Sequence, residues 1–538
     1  MRHIGTSSRS RNAARLAALA TASTLLLAGC SSEGSAPSED PAAASGGVIT
    51  AALTGDPQTL DSGISGSQLT YLVGQNIFEG LFALDESYTP QPMLAESYEV
   101  SDDLLTYTIS LREGILFHDG SDFEAEDVVA SLERWALVSP SGKAAAPVIS
   151  SITSVDPLTV EIVLTEPRFS LIGDLAFFVQ AAIMMPAEVA EAAGEEPLTA
   201  EQIIGTGPYK LEKLTAGQRV DLVRYEEYSS RAEDLGGFAG AKHAYADEID
   251  FVYVADATQR LNGLKTGQWN WAQTINADDV EAAASDPNLT VEAGATASIN
   301  TIYLNNKDVS VFANEQARQA LNLLIDPEVF ARATGGPEWL WSPLSPSMVT
   351  PSNAPMFSDA GKDAFSAYDP DRAKELFAEA GVTEGSTIKI STTQTYPQFY
   401  QWAVMIQSEL EKIGIGAEVA VYDYPTMTGT QTSDPASWDL SMTFFVGSVT
   451  SPAQILWLTP GWRAGYESAE KDALIEDYMG AATQEEATAV IDRLQALVYE
   501  DMPVVHLGAV SDLGVYSKSL EFPNDWSQIL WNAKVLSS

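Results

Sequence analysis

The 538-residue chain carries 74 Asp and Glu against 29 Lys and Arg, a formal net charge of −45 at pH 7. A surface this acidic repels phosphate backbones, which excludes nucleic acid as a partner. The single Cys excludes an internal disulfide, and the length exceeds what one hydrophobic core organises, so two or more lobes are expected.

Residues 1–15 hold Arg2, Arg9, Arg11 and Arg15 and no acid, and residues 16–28 (LAALATASTLLLA) are apolar or small. A basic start, a short apolar run and a small-residue exit make the layout of a secretory signal, 1–29. The run is shorter than the roughly 20 residues a membrane-spanning helix needs. Leu27-Ala28-Gly29-Cys30 resembles the bacterial lipoprotein box. That resemblance implies a diacylglycerol on the Cys30 sulfur and cleavage before it; the alternative is a plain signal whose cleavage site happens to contain a cysteine. Residues 31–47 contain only Ser, Glu, Gly, Ala, Pro and Asp. They cannot bury apolar surface, so 30–47 reads as a disordered tether and the folded body starts near Val48.

Along the body, 121–136 places Ala125, Val128, Val129 and Leu132 on one helical face, with acids in the first turn. Asn314 caps a helix over 314–325. Asp369 and Pro370 open a helix over 369–381 that Gly381 stops. Thr483 and Glu486 suggest a capping box for a helix to Tyr499. The most informative unit is 387–421: a strand (TIKIS), a helix from about Phe399 to Ile413, and a returning strand (AEVAVY). Strand, helix and strand predict a right-handed crossover and a parallel pair. Ligands of open α/β sheets bind beyond the carboxyl ends of the strands, which points to Gln394, Tyr396 and Tyr424. These tyrosines could equally be loop aromatics packed on the body.

The usual catalytic constellations are missing. After the signal only His118, His243 and His506 remain, without metal-ligand spacing, and no phosphate-binding glycine loop or nucleophile elbow occurs, so no metal, cofactor or catalytic residue is expected. Ser468-Ala-Glu-Lys471 and Lys265-Thr266-Gly267 match fragments of penicillin-interacting enzymes, but in reversed order and without Ser-Asp-Asn. An enzyme reading is therefore disfavoured.

Six stretches in order carry a resemblance: PQTLDSG (57–63), IFEGLFALDESYTPQPMLAESYEVSDDLLTYTISLREGILFHDGSDFEAEDVVASLER (77–134), GTGPYKL (205–211), NEQARQALNLLIDPE (314–328), YDPDRAKELFAEAG (368–381) and WDLSMTFFVGSVTSP (438–452). The chain resembles the extracellular solute-binding proteins of family 5, the substrate-binding lipoproteins of ABC importers for peptides, nickel complexes and some oligosaccharides. The resemblance implies an α/β, two-lobed periplasmic-binding-protein-like fold (type II, large peptide-binding class) with an extra subdomain in the first lobe. The first lobe would hold 48–297 plus 506–538, with the extra subdomain at about 80–200, and the second 298–505. Strands near 297–306 and 502–508 would cross between them. Phe117-His118-Asp119-Gly120 and Gly205-Thr206-Gly207-Pro208-Tyr209 read as structural turns.

The resemblance also implies a small-molecule or peptide ligand, permease and ATPase subunits as partners, a monomer, and an extracytoplasmic position on a bacterial membrane through Cys30. Ser62, Gly63, Ile64 and Ser65 would contact ligand from the first lobe, and Phe445, Gly447 and Ser448 from the second. Peptide-binding members carry, after the strand resembling WDLSMTFF, an Asp that pairs with the peptide's amino terminus. Here that position is Ser448, and no acid lies between Asp439 and Glu467. A buried ammonium needs a counter-charge. Either Asp423 or Asp61 supplies it, or the ligand is amine-free, such as an oligosaccharide. Trp339, Trp341, Trp457 and Trp462 in or beside loops are consistent with stacking on sugars, though each taken singly reads better as packing between lobe and loop.

Overall fold

Residues 46–333, 341–342, 347–362, 368–447, 449–523 and 529–536 are described by a computed structural model. Cys30, the tether through residue 45, Trp339 and Ser448 lie outside these residues. A sheet of eleven strands runs from Gly416–Tyr422 at one edge through Thr387–Thr393, Leu440–Val446, Leu289–Leu304 and Val504–Ser517, then Trp271–Ala272, Val48–Leu53, Glu248–Tyr253, Arg219–Arg224 and Tyr209–Thr215, with Trp341–Ser342 paired to Val504–Ser517. The two long central strands are antiparallel partners from Leu289 opposite Ser517 to Tyr303 opposite Val504. They run for 16 and 14 residues. Their register shifts between Ala293 and Ala297 and again at Asn300 and Thr301. Gly508, opposite Asn300, takes a φ of 155°, open to glycine without the cost a side chain would bring.

The local signals hold, within the shifts expected at helix ends. Ala125–Val138 starts one residue after Glu124, whose side chain joins that of Asp127 in a capping box. Asn314 accepts from the Gln316 N–H at the head of Glu315–Leu323. Asp369 accepts from the Arg372 N–H ahead of Pro370–Glu379, and Gly381 sits at φ 82°. Thr483 caps Gln484–Asp501, but Glu486 reaches back to the Ala482 N–H rather than to that of Thr483. The crossover unit is Thr387–Thr393, Pro397–Lys412 and Gly416–Tyr422, with the strands parallel.

The apolar residues gather into separate cores. One draws on residues between Ile49 and Phe251 with Trp271 and the segment Tyr516 to Ala533, and a smaller one on Ala52, residues from Leu261 to Leu289, Leu513 and Val515. Two others draw their buried residues from between Ile302 and Leu507, with Phe169 packed against one of them. The stretch from 95 to 164 adds a four-stranded antiparallel sheet of its own.

The two turn motifs are each other's partners. The Gly205 N–H donates to His118 Nδ1 (3.3 Å), so Nε2 carries the proton and donates to the Gly207 carbonyl (2.9 Å). His118 is therefore structural, as the sequence suggested, and burial lowers its pKa to about 4. A Cβ at Gly205 would lie 2.2 Å from the Ile77 carbonyl oxygen, so the motif needs glycine for backbone-to-backbone contact. Gly205→Ala should lower stability by about 1–3 kcal/mol, measured by urea denaturation, because backbone rather than a flexible side chain must move.

Candidate ligand site

Three parallel strands, Thr387–Thr393, Gly416–Tyr422 and Leu440–Val446, end on one edge. Tyr396 follows the first and precedes Pro397, which opens the next helix. Tyr424 is the first residue of Tyr424–Ser433, a helix capped by Asp423. The loop geometry brings the two tyrosines together edge to face, with centroids 5.4 Å apart. Tyr396 meets Phe444 in the same way at 5.4 Å and leans on Phe399 at 5.1 Å. Half-burial raises the Tyr396 hydroxyl's pKa, helped by Tyr424. Gln394 is exposed beside them.

Phe444, 40% exposed, completes this shelf and was not singled out in the sequence. Strand alternation explains why: adjacent residues face opposite sides, so Phe444 joins the tyrosines while Phe445 turns to the other face and packs 5.8 Å from Trp462. The loop beyond is held from afar. Asn353 Nδ2 donates to the carbonyls of Gly447 (3.0 Å) and Val449 (2.7 Å), and Gln454 Oε1 accepts from the Thr450 N–H (2.9 Å). Gln454 Nε2 also donates to Asp174 (3.0 Å), and the Phe169 N–H donates to the Met479 carbonyl (2.7 Å), tying this loop region to the segment around 170.

Ser62, Gly63, Ile64 and Ser65 form a separate turn. Ser62 and Gly63 are buried, Ile64 and Ser65 half-buried. The Ser62 carbonyl accepts from the Ala181 N–H and the Ile64 carbonyl from Gln180 Nε2. Among the described residues no hydrogen bond or ring contact joins this turn to the Tyr396 shelf.

The two acids considered as a substitute counter-charge are differently placed. Asp61 is fully buried, 2.6 Å from Arg134 Nη2, and accepts from the N–H groups of Gly63 (3.0 Å) and Leu198 (3.1 Å). Its charge is consumed in holding the 62–65 turn. Asp423 is exposed and its oxygens accept from the Thr426 hydroxyl (2.6 Å) and N–H (3.0 Å), which lowers its pKa. Asp61 is thus an internal ion-pair partner, which corrects its expected role, whereas Asp423 is an exposed helix cap with no basic partner among the described residues.

Of the loop tryptophans, Trp457 and Trp341 are buried, 1% and 7% exposed, and serve packing; Trp462 is half-buried. The enzyme-like fragments do not form a dyad. Ser468 Oγ accepts from the Lys471 backbone, whereas Lys471 Nζ donates to the carbonyls of Leu458 (2.9 Å) and Tyr466 (3.1 Å). Lys265 and Thr266 close the helix Ala257–Thr266, and Gly267 caps it at φ 71°. Among the described residues no three His, Cys, Asp or Glu side chains gather to hold a metal, and no helix is long and apolar enough to cross a membrane.

A family model for bacterial extracellular solute-binding proteins, family 5 (Middle), matches residues 89–466. The chain belongs to this family. Family 5 is made of substrate-binding proteins, not enzymes, and its members are extracytoplasmic. A probable peptide ABC transporter periplasmic-binding protein, y4tO of Sinorhizobium fredii, is 30% identical over 489 residues, 86% of this chain and 88% of the relative. The glutathione-binding protein GsiB of Escherichia coli O157:H7 is 28% identical over 488 residues, 88% and 91% of the two chains. Among solved structures, the binding protein AgaA with agropinic acid from A. tumefaciens R10 superposes with a TM-score of 0.73 at 24% identity, covering 91% of this chain and 99% of that one. The family 5 chain thus has the two-lobed α/β fold of the large peptide-binding class.

Proposed function

We propose that this family 5 chain is the capture subunit of an ABC importer: an extracytoplasmic lipoprotein, anchored through Cys30, that encloses a peptide-class solute between two lobes and delivers it to the permease and its ATPase. The observation that carries this reading is the Tyr396–Tyr424–Phe444 shelf at the carboxyl ends of three parallel strands, beside the loop pinned by Asn353. Aromatic faces enclose side chains without demanding one sequence. The split of the cores supports lobes of 48–297 plus 506–538 and 298–505, with the paired strands Leu289–Leu304 and Val504–Ser517 as the hinge. Closure would follow the solute's stronger binding to the closed state. Gln394, Tyr396, Tyr424 and Phe444, with Gly447 and Ser448 beyond the strand end, would contact solute from one side, and Ser62, Gly63, Ile64 and Ser65 from the other.

A second reading, a non-peptide solute such as an oligosaccharide, is favoured by the engagement of Asp61 and Asp423 elsewhere and by the lack of any acid between Asp439 and Glu467. A panel of dipeptides to pentapeptides and of oligosaccharides, titrated calorimetrically, separates the two. Peptide binding that Tyr396→Ala weakens by about ten-fold or more, without lowering the melting temperature comparably, supports the first reading. Oligosaccharide binding with no response to any peptide replaces it with the second.

A further inference from the structure

A cavity of about 360 Å³ shares no lining residue with the Tyr396 shelf or the 62–65 turn. One wall comes from residues between Tyr88 and Gly173, the other from Pro355, Thr450 and the stretch from Tyr478 to Gln484. The walls meet beside it. The Phe169 ring stands edge to face with Tyr478 at 5.5 Å, and the Ser170 hydroxyl lies 3.3 Å from the Met479 sulfur.

The lining has a distinct chemistry. Tyr88, Tyr98, Tyr107, Phe169 and Tyr478 supply five aromatic rings, and no Asp, Glu, Lys, Arg or His lines the space. In a chain with 74 acidic residues this is a neutral patch. A charged ligand would lose its hydration there and find no counter-charge, whereas aromatic walls favour a flat apolar body. Volume sets the size. An apolar cavity of roughly 150 Å³ holds benzene, so this one has room for one or two rings.

The polar groups narrow the class further. The Tyr107 hydroxyl donates to the Arg168 carbonyl (3.1 Å) and the Tyr478 hydroxyl to the Thr450 carbonyl (3.1 Å). Burial raises both pKa values, so both oxygens keep their protons. Those protons are spent on backbone, and what each oxygen still offers is an acceptor, which suits a ligand O–H or N–H. Two of the five non-glycine residues with left-handed backbone among the described residues, Tyr88 (φ 60°) and Leu104 (φ 62°), also line the cavity. Such backbone is costly and gathers where ligands bind. Tyr98 and Val100 are 40% and 36% exposed, so part of the apolar lining is open to water.

We propose that this cavity is a second binding site, for a small uncharged aromatic molecule carrying one hydrogen-bond donor, of the phenol or indole class. The site goes beyond the capture function and does not rest on it.

The test titrates indole, phenol and benzoate calorimetrically into the purified full chain. Indole or phenol is expected to bind with a dissociation constant of about 1 mM or below, and benzoate at least about ten-fold more weakly. Tyr98→Ala on one wall and Ala482→Trp on the other change exposed positions. Each should weaken the uncharged probe at least about five-fold without lowering the melting temperature comparably. Tyr396→Ala should leave that binding within two-fold. A crystal soaked with indole should hold the ring in the cavity, a result that needs no variant. Benzoate binding as tightly as indole overturns the proposal. So does binding that both wall variants leave within two-fold, or that Tyr396→Ala abolishes, since the probe then sits on the solute shelf. No response to either uncharged probe at about 5 mM overturns it as well. None of these results bears on the receptor reading.

Discussion

Asp61→Ala should destabilise the protein by about 3–5 kcal/mol, the range for breaking a buried ion pair from one side. The carboxylate is 0% exposed and Arg134 is 3% exposed, so neither charge has water to fall back on. Removing Asp61 leaves the Arg134 guanidinium with the Glu196 carbonyl (2.9 Å) and an Nε that already lacks a partner. It also strands the N–H groups of Gly63 and Leu198. Asp61→Asn keeps an acceptor for those two groups and should cost less, and Asp61→Ala combined with Arg134→Met should recover much of the loss, since no uncompensated charge remains. Urea denaturation of the three variants checks this. A loss below 1 kcal/mol for Asp61→Ala would mean that water reaches Arg134 and that the 62–65 turn does not depend on the pair.

Acid should weaken the fold well above the range where carboxylates titrate. His118 and His506 are both held neutral by burial, with pKa values near 4 and 3. An unfolded histidine titrates near 6.5, so between these values the unfolded chain binds protons that the folded chain refuses. Stability is complete above about pH 6.5 and falls as pH drops, at about 1.4 kcal/mol per pH unit for each histidine, or roughly 4–5 kcal/mol between pH 6.5 and 4.5 as an upper value. Asp423, with a lowered pKa, adds its own loss only as pH falls through the lower carboxylate range. His506 matters for position as well as charge. Its Nδ1 meets the Thr301 hydroxyl at 2.8 Å, joining the two long central strands, while Nε2 is buried with no partner. His506→Asn should therefore be less stable than wild type at pH 7.5 but fall less steeply toward pH 4.5. Urea midpoints of both proteins at pH 7.5, 6.0 and 4.5 make the comparison. A wild-type midpoint that stays level from 6.5 to 4.5 would contradict the buried, neutral state of both imidazoles.

What could be read in the sequence was what is local. Asp369-Pro370 and Thr483 announce helix starts because a cap bonds within three residues of itself. The 387–421 crossover was visible because its strand, helix and strand patterns follow each other without interruption. What escaped depends on pairs far apart in the chain. Asp61 meets Arg134 across 73 positions, and Asn353 reaches Gly447 and Val449 across 94 and 96. No local pattern marks such bonds, so Asp61 looked free and Asn353 looked ordinary. The exchange of Phe445 for Phe444 on the shelf is a question of strand phase. Phenylalanines at adjacent positions match either face equally, and only the register with Leu289–Leu304 decides it.

A capture subunit must close on a solute. The most direct measurement is mass spectrometry of small molecules released from the purified protein, followed by thermal shift with each identified compound. One released solute, present near one per protein, should raise stability by about 2.7 kcal/mol at 100 times its dissociation constant, and Tyr396→Ala should abolish its copurification. Protein that releases nothing, and whose melting temperature no peptide, sugar or small acid changes, would contradict it.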